Sequence, residues 1–164
     1  MAYRTKYEIA DYIHNYYKEH NKEDVLGHLR LHVIMYILFT EYLYVFNVQE
    51  EEGIIEAPGF FPKYLFDPNY TVCPYGVTDP DFRDYEFQKS TIDFPTTFDK
   101  QIQLFIDHLV DQTLVVDDFS LVDYVLECPC RQYMTNGEPL DIALLENHYR
   151  CNSRVFQTRD LFFT

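Results

Sequence analysis

From about Asp24 to Phe46 the chain is apolar almost all round a helical wheel. Leu29, Leu31, Val33, Ile34, Ile37, Leu38 and Leu43 leave no continuous polar face. A helix of this kind has to be covered on several sides. The stretch Leu31–Val48 is long enough to invite a transmembrane reading, but Glu41 sits in its middle and His32 near its start. No Lys or Arg flanks its C-terminal end. A charge at mid-bilayer costs about 3 kcal/mol on insertion scales. The segment is therefore expected to be the buried central helix of a water-soluble domain, and the rest of the chain to be its cover.

The flanking patterns supply that cover. Thr5 followed by Glu8 reads as a capping box, after which Ile9, Tyr12, Ile13, Tyr16 and Tyr17 recur at helical spacing until the polar run at His20–Glu23. Ile102, Phe105, Ile106, Leu109 and Val110 mark a helix over about Phe98–Gln112. A further helix is expected to begin after Asp117 or Asp118 and to run until Pro129; with Asp117 as its cap, Val116 and Leu121 form a staple. Asp141 starts the last helix, where Leu140 and Leu145 again form a staple and Ile142, Leu144 and Leu145 face inward. The tail Val155–Thr164 alternates weakly and reads as an edge strand or a packed extension.

Between Ile54 and about Phe94 the composition changes. Pro58, Pro62, Pro68, Pro74 and Pro80 forbid a long helix there. An ordered, loop-like stretch is expected, with a short strand near Tyr70-Thr71-Val72. With no repeat and no linker, residues 1–164 read as a single mainly α domain: helices around a central buried helix, a long Pro/Gly/aromatic loop and a small β element.

Charge narrows the function. The chain carries a net charge of −14. Such a surface repels phosphates, so direct nucleic-acid binding is disfavoured and a basic protein partner is favoured. The N-terminal residues carry no secretory pattern, and the four cysteines, Cys73, Cys128, Cys130 and Cys151, form no CxxC. Both point to reduced thiols in a cytoplasm.

Catalytic and metal signatures are weak. His28 and His32 lie one helical turn apart, but no third ligand is placed beside them. Cys128-Pro129-Cys130 is poor chelate spacing, and would need Cys73, Cys151 and His148 brought to it by the fold. Adjacent carboxylates are too abundant to signal acid–base chemistry, and no P-loop, GxSxG or HExxH occurs. No enzyme activity, cofactor or metal is expected. Rigid aromatics in a proline-stiffened turn instead suit a contact surface at Tyr70, Tyr75, Gly76 and Asp79, joined by Phe82 and Tyr85 as exposed neighbours.

Four stretches resemble, in order, the Panacea domain, also described as the SocA-like antitoxin domain. Ile9-Ala10-Asp11-Tyr12-Ile13 is similar to its opening helix, and Leu29–Tyr36 to its Leu-rich second helix. Leu65-Phe66-Asp67 with Cys73-Pro74-Tyr75-Gly76-Val77 and Pro80 is similar to its aromatic turn. Leu121-Val122 with Pro129, then Pro139 to Tyr149, is similar to its closing helices. The sequence departs from the pattern at His32 and Val33, where the family has Gln and Lys. It also departs at Cys73, where the family has Trp, and at Val77, where it has Pro. The resemblance implies a non-enzymatic module, found in bacteria and their phages, that binds and neutralises a protein toxin. Two other readings stand beside it: a phage-borne acidic inhibitor of host defence that imitates DNA, and a small enzyme with no recognisable motif.

Overall fold

Thr5 starts the first helix as its spacing predicts. In the computed structural model the Glu8 N–H donates to Thr5 Oγ1 at 3.2 Å, and the Thr5 hydroxyl donates to Glu8 Oε1 at 3.2 Å. The structure describes residues 2–20, 27–48, 62–74, 76–82, 98–114, 116–126 and 135–151. Helix α1 spans Lys6–His20 and buries Ile9, Ile13 and Tyr17.

Helix α2 spans His28–Tyr42 and continues into a π-helical turn over Leu43–Val48. Its first residue follows Gly27, which has extended backbone and offers no side-chain cap. The expected start at Asp24 lies outside the described residues. From Val33 to Leu43 every residue is buried, so this is the central element expected of an all-round apolar helix. Leu29 is the exception. It is 50% exposed. Two polar residues in the buried stretch are Thr40, whose hydroxyl donates back to the Tyr36 and Ile37 carbonyls, and Glu41. Among the described residues no helix is long and apolar enough to cross a membrane.

Helix α3 spans Lys100–Leu114, two residues later than the apolar periodicity predicts. The shift has a local cause. Asp99 caps the helix, its carboxylate accepting the Gln101 N–H at 3.0 Å and its carbonyl the Gln103 N–H at 2.8 Å. Phe98 is left outside the helix and packs its ring on Tyr12, centroids 4.9 Å apart. Helix α4 spans Asp118–Leu126 with Asp117 as its cap, the Ser120 N–H reaching Asp117 Oδ1 at 2.7 Å. Helix α5 spans Ile142–Cys151, capped by Asp141 through the Leu144 N–H at 3.1 Å. Leu140 and Leu145 are both buried, while Ile142 and Leu144 are half-buried. The stop at Pro129 and the tail from Val155 lie outside the described residues.

The small β element is a hairpin. Strand β1, Thr71–Cys73, pairs antiparallel with β2, Gly76–Thr78, setting Val72 opposite Val77 and Cys73 opposite Gly76. Pro74 thus takes the first turn position, where its ring excludes the positive φ of mirror-image hairpin turns. The other edge of β1 is covered by the segment before α5. The Gly137 N–H donates to the Val72 carbonyl at 2.8 Å, and the Val72 N–H to the Glu138 carbonyl at 2.9 Å. The Leu140 N–H then reaches the Tyr70 carbonyl at 2.9 Å. Gly137 adopts φ +87° to make this docking.

The hairpin closes the core over α2. The Phe39 ring has Phe66 at 5.5 Å, Tyr64 at 5.8 Å and Tyr70 at 6.0 Å. Helices α1 and α3 run parallel. Tyr12 donates to Asp107 at 2.5 Å and Tyr16, one turn on, to Asp111 at 2.6 Å.

Candidate functional site

Three features bring chemistry-bearing side chains together, and the first lies under the hairpin. Lys6, the opening residue of α1, sends its ammonium inward to the turn after β2. Its Nζ is 2.8 Å from Asp79 Oδ2 and 2.5 Å from Asp81 Oδ2. Asp79 is also the cap of the 3-10 turn Pro80–Phe82, its Oδ1 accepting the Asp81 N–H at 3.0 Å. Pro at the first helical position suits a turn whose first N–H has no partner to lose. The Asp79 N–H points to His32 Nδ1 at 3.4 Å, and Asn69 donates to Asp81 at 3.2 Å. The Phe82 ring roofs the cluster, 5.6 Å from Tyr7 and 5.9 Å from His32.

Electrostatics follow from burial. Burial alone would lower the Lys6 pKa, but hydrogen bonds and charge from Asp79 and Asp81 outweigh it and hold the ammonium above its ordinary value. The Lys6 hydrogen bond, aided by Asn69, pulls the Asp81 carboxyl down. Tyr70 is pushed well above the ordinary tyrosine value by burial and then by the Asp79 charge. Its hydroxyl is buried and has no hydrogen-bond partner among the described residues. Asp79 is 1% exposed and Lys6 9%, so the cluster ties α1, α2 and the hairpin together from the inside.

That burial corrects the contact surface expected from the sequence. Tyr70 and Phe82 are 4% and 2% exposed, and both join the core rather than facing a partner. Asp79 is committed to Lys6. The reason is a partner 73 residues upstream, which no local pattern in the turn announces. Gly76 opens β2 opposite Cys73. Tyr75 and Tyr85 lie outside the described residues.

The second feature is Arg30, on the first turn of α2. Its Nε is 2.9 Å from Asp118 Oδ1, and its Nη1 donates to the Thr113 carbonyl at 2.6 Å. Nη2 donates to the Val116 carbonyl. One guanidinium therefore satisfies carbonyls at the C-terminal end of α3 and pairs with the first residue of α4. Flanking this bridge in sequence are two exposed apolar side chains, Leu29 at 50% and Phe119 at 85%.

The third is the tyrosine–aspartate ladder between α1 and α3. Burial, then the bonds to Asp107 and Asp111, raise the pKa of both tyrosines. Asp107 is itself raised, chiefly by burial and further by Asp111. The His20 ring stacks on Tyr16 with centroids 4.0 Å apart.

Of the candidate metal ligands, His32 is half-buried beneath Phe82 and Cys73 is half-buried in β1. Cys128 and Cys130, and the side chains of His28, His148 and Cys151, lie outside the described residues. Among the described residues no three His, Cys, Asp or Glu side chains group together as metal ligands. Sequence reasoning missed Lys6, Arg30 and the ladder. Only the ladder leaves a trace, in the one-turn spacing shared by Tyr12/Tyr16 and Asp107/Asp111.

No family model, curated protein or solved structure matches the chain.

Proposed function

We propose that the chain is a non-catalytic protein-binding module of the antitoxin kind, neutralising a basic protein partner inside a bacterial or phage-infected cell. The observation that carries the reading is the net charge of −14 and its distribution. Asp67, Asp99, Asp111, Asp117, Asp118 and Asp123 are exposed, against Lys18, Lys63 and Lys100 among the exposed cations of the described residues. Such a surface steers a cationic protein inward and repels polyanions. The antitoxin form of the reading rests on the resemblance to the Panacea domain.

The lysine–carboxylate cluster fits the same reading. Lys6 and Asp79 are spent on one another beneath the hairpin, where a substrate has no access to Asp79. Co-expression with the toxin-like product of a neighbouring gene tests the proposal. Growth rescue together with a co-purifying complex is expected; a partner neither bound nor neutralised sinks it.

The same charge supports a second reading, an acidic inhibitor that occupies the DNA site of a host defence protein. A phosphate mimic loses affinity steeply as salt rises, so a flat salt dependence of the complex counts against this second reading.

A further inference from the structure

The seam between α1 and α3 carries a continuous line of rings. Between centroids, Tyr3 lies 6.2 Å from Phe98, Phe98 4.9 Å from Tyr12, Tyr12 6.2 Å from Tyr16 and Tyr16 4.0 Å from His20. Phe98 is buried, Tyr12 and Tyr16 are half-buried and His20 is exposed, so the line surfaces at the C-terminal end of α1. Its last three rings are stacked, with interplanar angles of 25° and 18°. The bonds from Tyr12 to Asp107 and from Tyr16 to Asp111 hold them there, so little ordering is left for a partner to induce.

Negative charge gathers along the same rings. Asp107 and Asp111 stand one turn apart on α3, where like charges repel. Burial, the bonded aspartate and, further, the Glu19 charge raise both phenols, which places Glu19 beside them. Among the described residues no Lys or Arg forms an ion pair with Asp107, Asp111 or Glu19, and the last two are exposed. The far end of the line shows a cation that such rings accept: the Arg4 guanidinium lies 4.4 Å from the Tyr3 centroid. A guanidinium is planar, stacks on aromatic faces and forks onto carboxylates, whereas an ammonium acts as a point charge.

We infer that the Tyr16–His20 end of the α1–α3 seam grips an arginine side chain of a basic partner protein, its guanidinium stacked on the rings and paired with Asp111 and Glu19. The inference rests on the protein-binding reading above and names one anchor of it.

The probe is a labelled Gly-Arg repeat peptide, with a Gly-Lys repeat of the same length beside it. The full chain is expected to bind the arginine peptide about threefold or more tightly than the lysine peptide. Asp111→Asn/Glu19→Gln should weaken the arginine peptide about tenfold or more. Asp67→Asn/Asp123→Asn removes the same charge from two other exposed carboxylates and should change binding by about twofold or less. Tyr16→Leu/His20→Leu keeps every carboxylate and should bring the two peptides to equal affinity. Circular dichroism of each variant reports that the fold is kept.

Equal losses in the two carboxylate pairs overturn the site and leave only a general attraction to an acidic surface. Equal affinity of the wild-type chain for both peptides overturns the role of the rings, as does an arginine preference that survives Tyr16→Leu/His20→Leu. Failure of the wild-type chain to bind either peptide overturns the inference whole. The wider reading fails separately: a toxin captured as well by Asp111→Asn/Glu19→Gln as by wild type removes this anchor and leaves the binding module standing.

Discussion

The Lys6 ammonium lies 2.8 Å from the Asp79 carboxylate across 73 residues of chain, and Asp79 is 1% exposed. A carboxylate so placed depends on its cation. Removing one member of a buried pair strands the other and costs about 3–5 kcal/mol. Lys6→Met is expected to lower stability by that order in a urea titration. Adding Asp79→Leu should recover much of the loss, since the stranded charge is gone. A single variant within about 1 kcal/mol of wild type would show that water reaches Asp79.

The same cluster sets a pH signature. Asp81 has its pKa lowered by Lys6, so its share of stability is present above the ordinary value of 3.8 and lost as pH falls through the lowered one. Lys6 has its pKa raised, so its share is present below 10.5 and lost as pH rises through the raised value. Subtracting the Lys6→Met profile from wild type should therefore leave a plateau between about pH 4 and pH 10 that falls on both sides. A flat difference would show that the pair is not coupled to folding.

Tyr70 offers the opposite kind of test. Its hydroxyl is buried without a partner among the described residues, a cost that Phe does not carry. Tyr70→Phe is expected to leave the melting temperature unchanged or raise stability by about 1 kcal/mol, with partner binding intact. Loss of binding at unchanged stability would give the hydroxyl a role in recognition.

On the α1–α3 ladder, charge and hydrogen bond can be separated. Burial and Asp111 raise the Asp107 pKa, so its ionised form costs stability above about pH 4 and the cost fades on acidification. Asp107→Asn keeps an acceptor for Tyr12 and removes that cost. It should be neutral or stabilising at pH 7, with the advantage shrinking toward pH 3. Tyr12→Phe, which deletes the bond itself, should lower stability by about 1.5 kcal/mol at neutral pH. The reverse order of the two variants in thermal melts would overturn this account.

Gly137 isolates a backbone effect. An added Cβ would meet nothing within 4 Å, yet φ is +87°. Gly137→Ala should still cost about 1 kcal/mol, because the strain lies in the chain and not in packing. Unchanged stability would mean that the segment docks on β1 in another way.

Local chemistry was readable in advance and distant chemistry was not. Thr5, Asp117 and Asp141 cap their helices as their spacing announces, and the all-round apolar α2 is central as its composition requires. Asp99 moved a boundary because a capping carboxylate beats an apolar repeat at the last residue or two. Three of the expected contact residues are buried for a different reason. Tyr70, Asp79 and Phe82 look outward when the turn is read alone; Tyr70 is instead packed on Tyr36, Phe39 and Phe66, Phe82 on Tyr7 and His32, and Asp79 is paired with Lys6. Arg30 is likewise mute in sequence, since its partners lie 83 to 88 residues away.

Because β1 is bonded along both sides, by β2 and by residues 137–140, it has no vacant flank on which an incoming chain could lay a strand. The docked stretch also makes the hairpin depend on a segment more than sixty residues further along the chain. A truncation that stopped short of residue 135 would strip the Val72 N–H and the Tyr70 and Val72 carbonyls of their partners at once. Shortened versions made for binding studies should keep this stretch, or they will report on a damaged hairpin instead of on recognition.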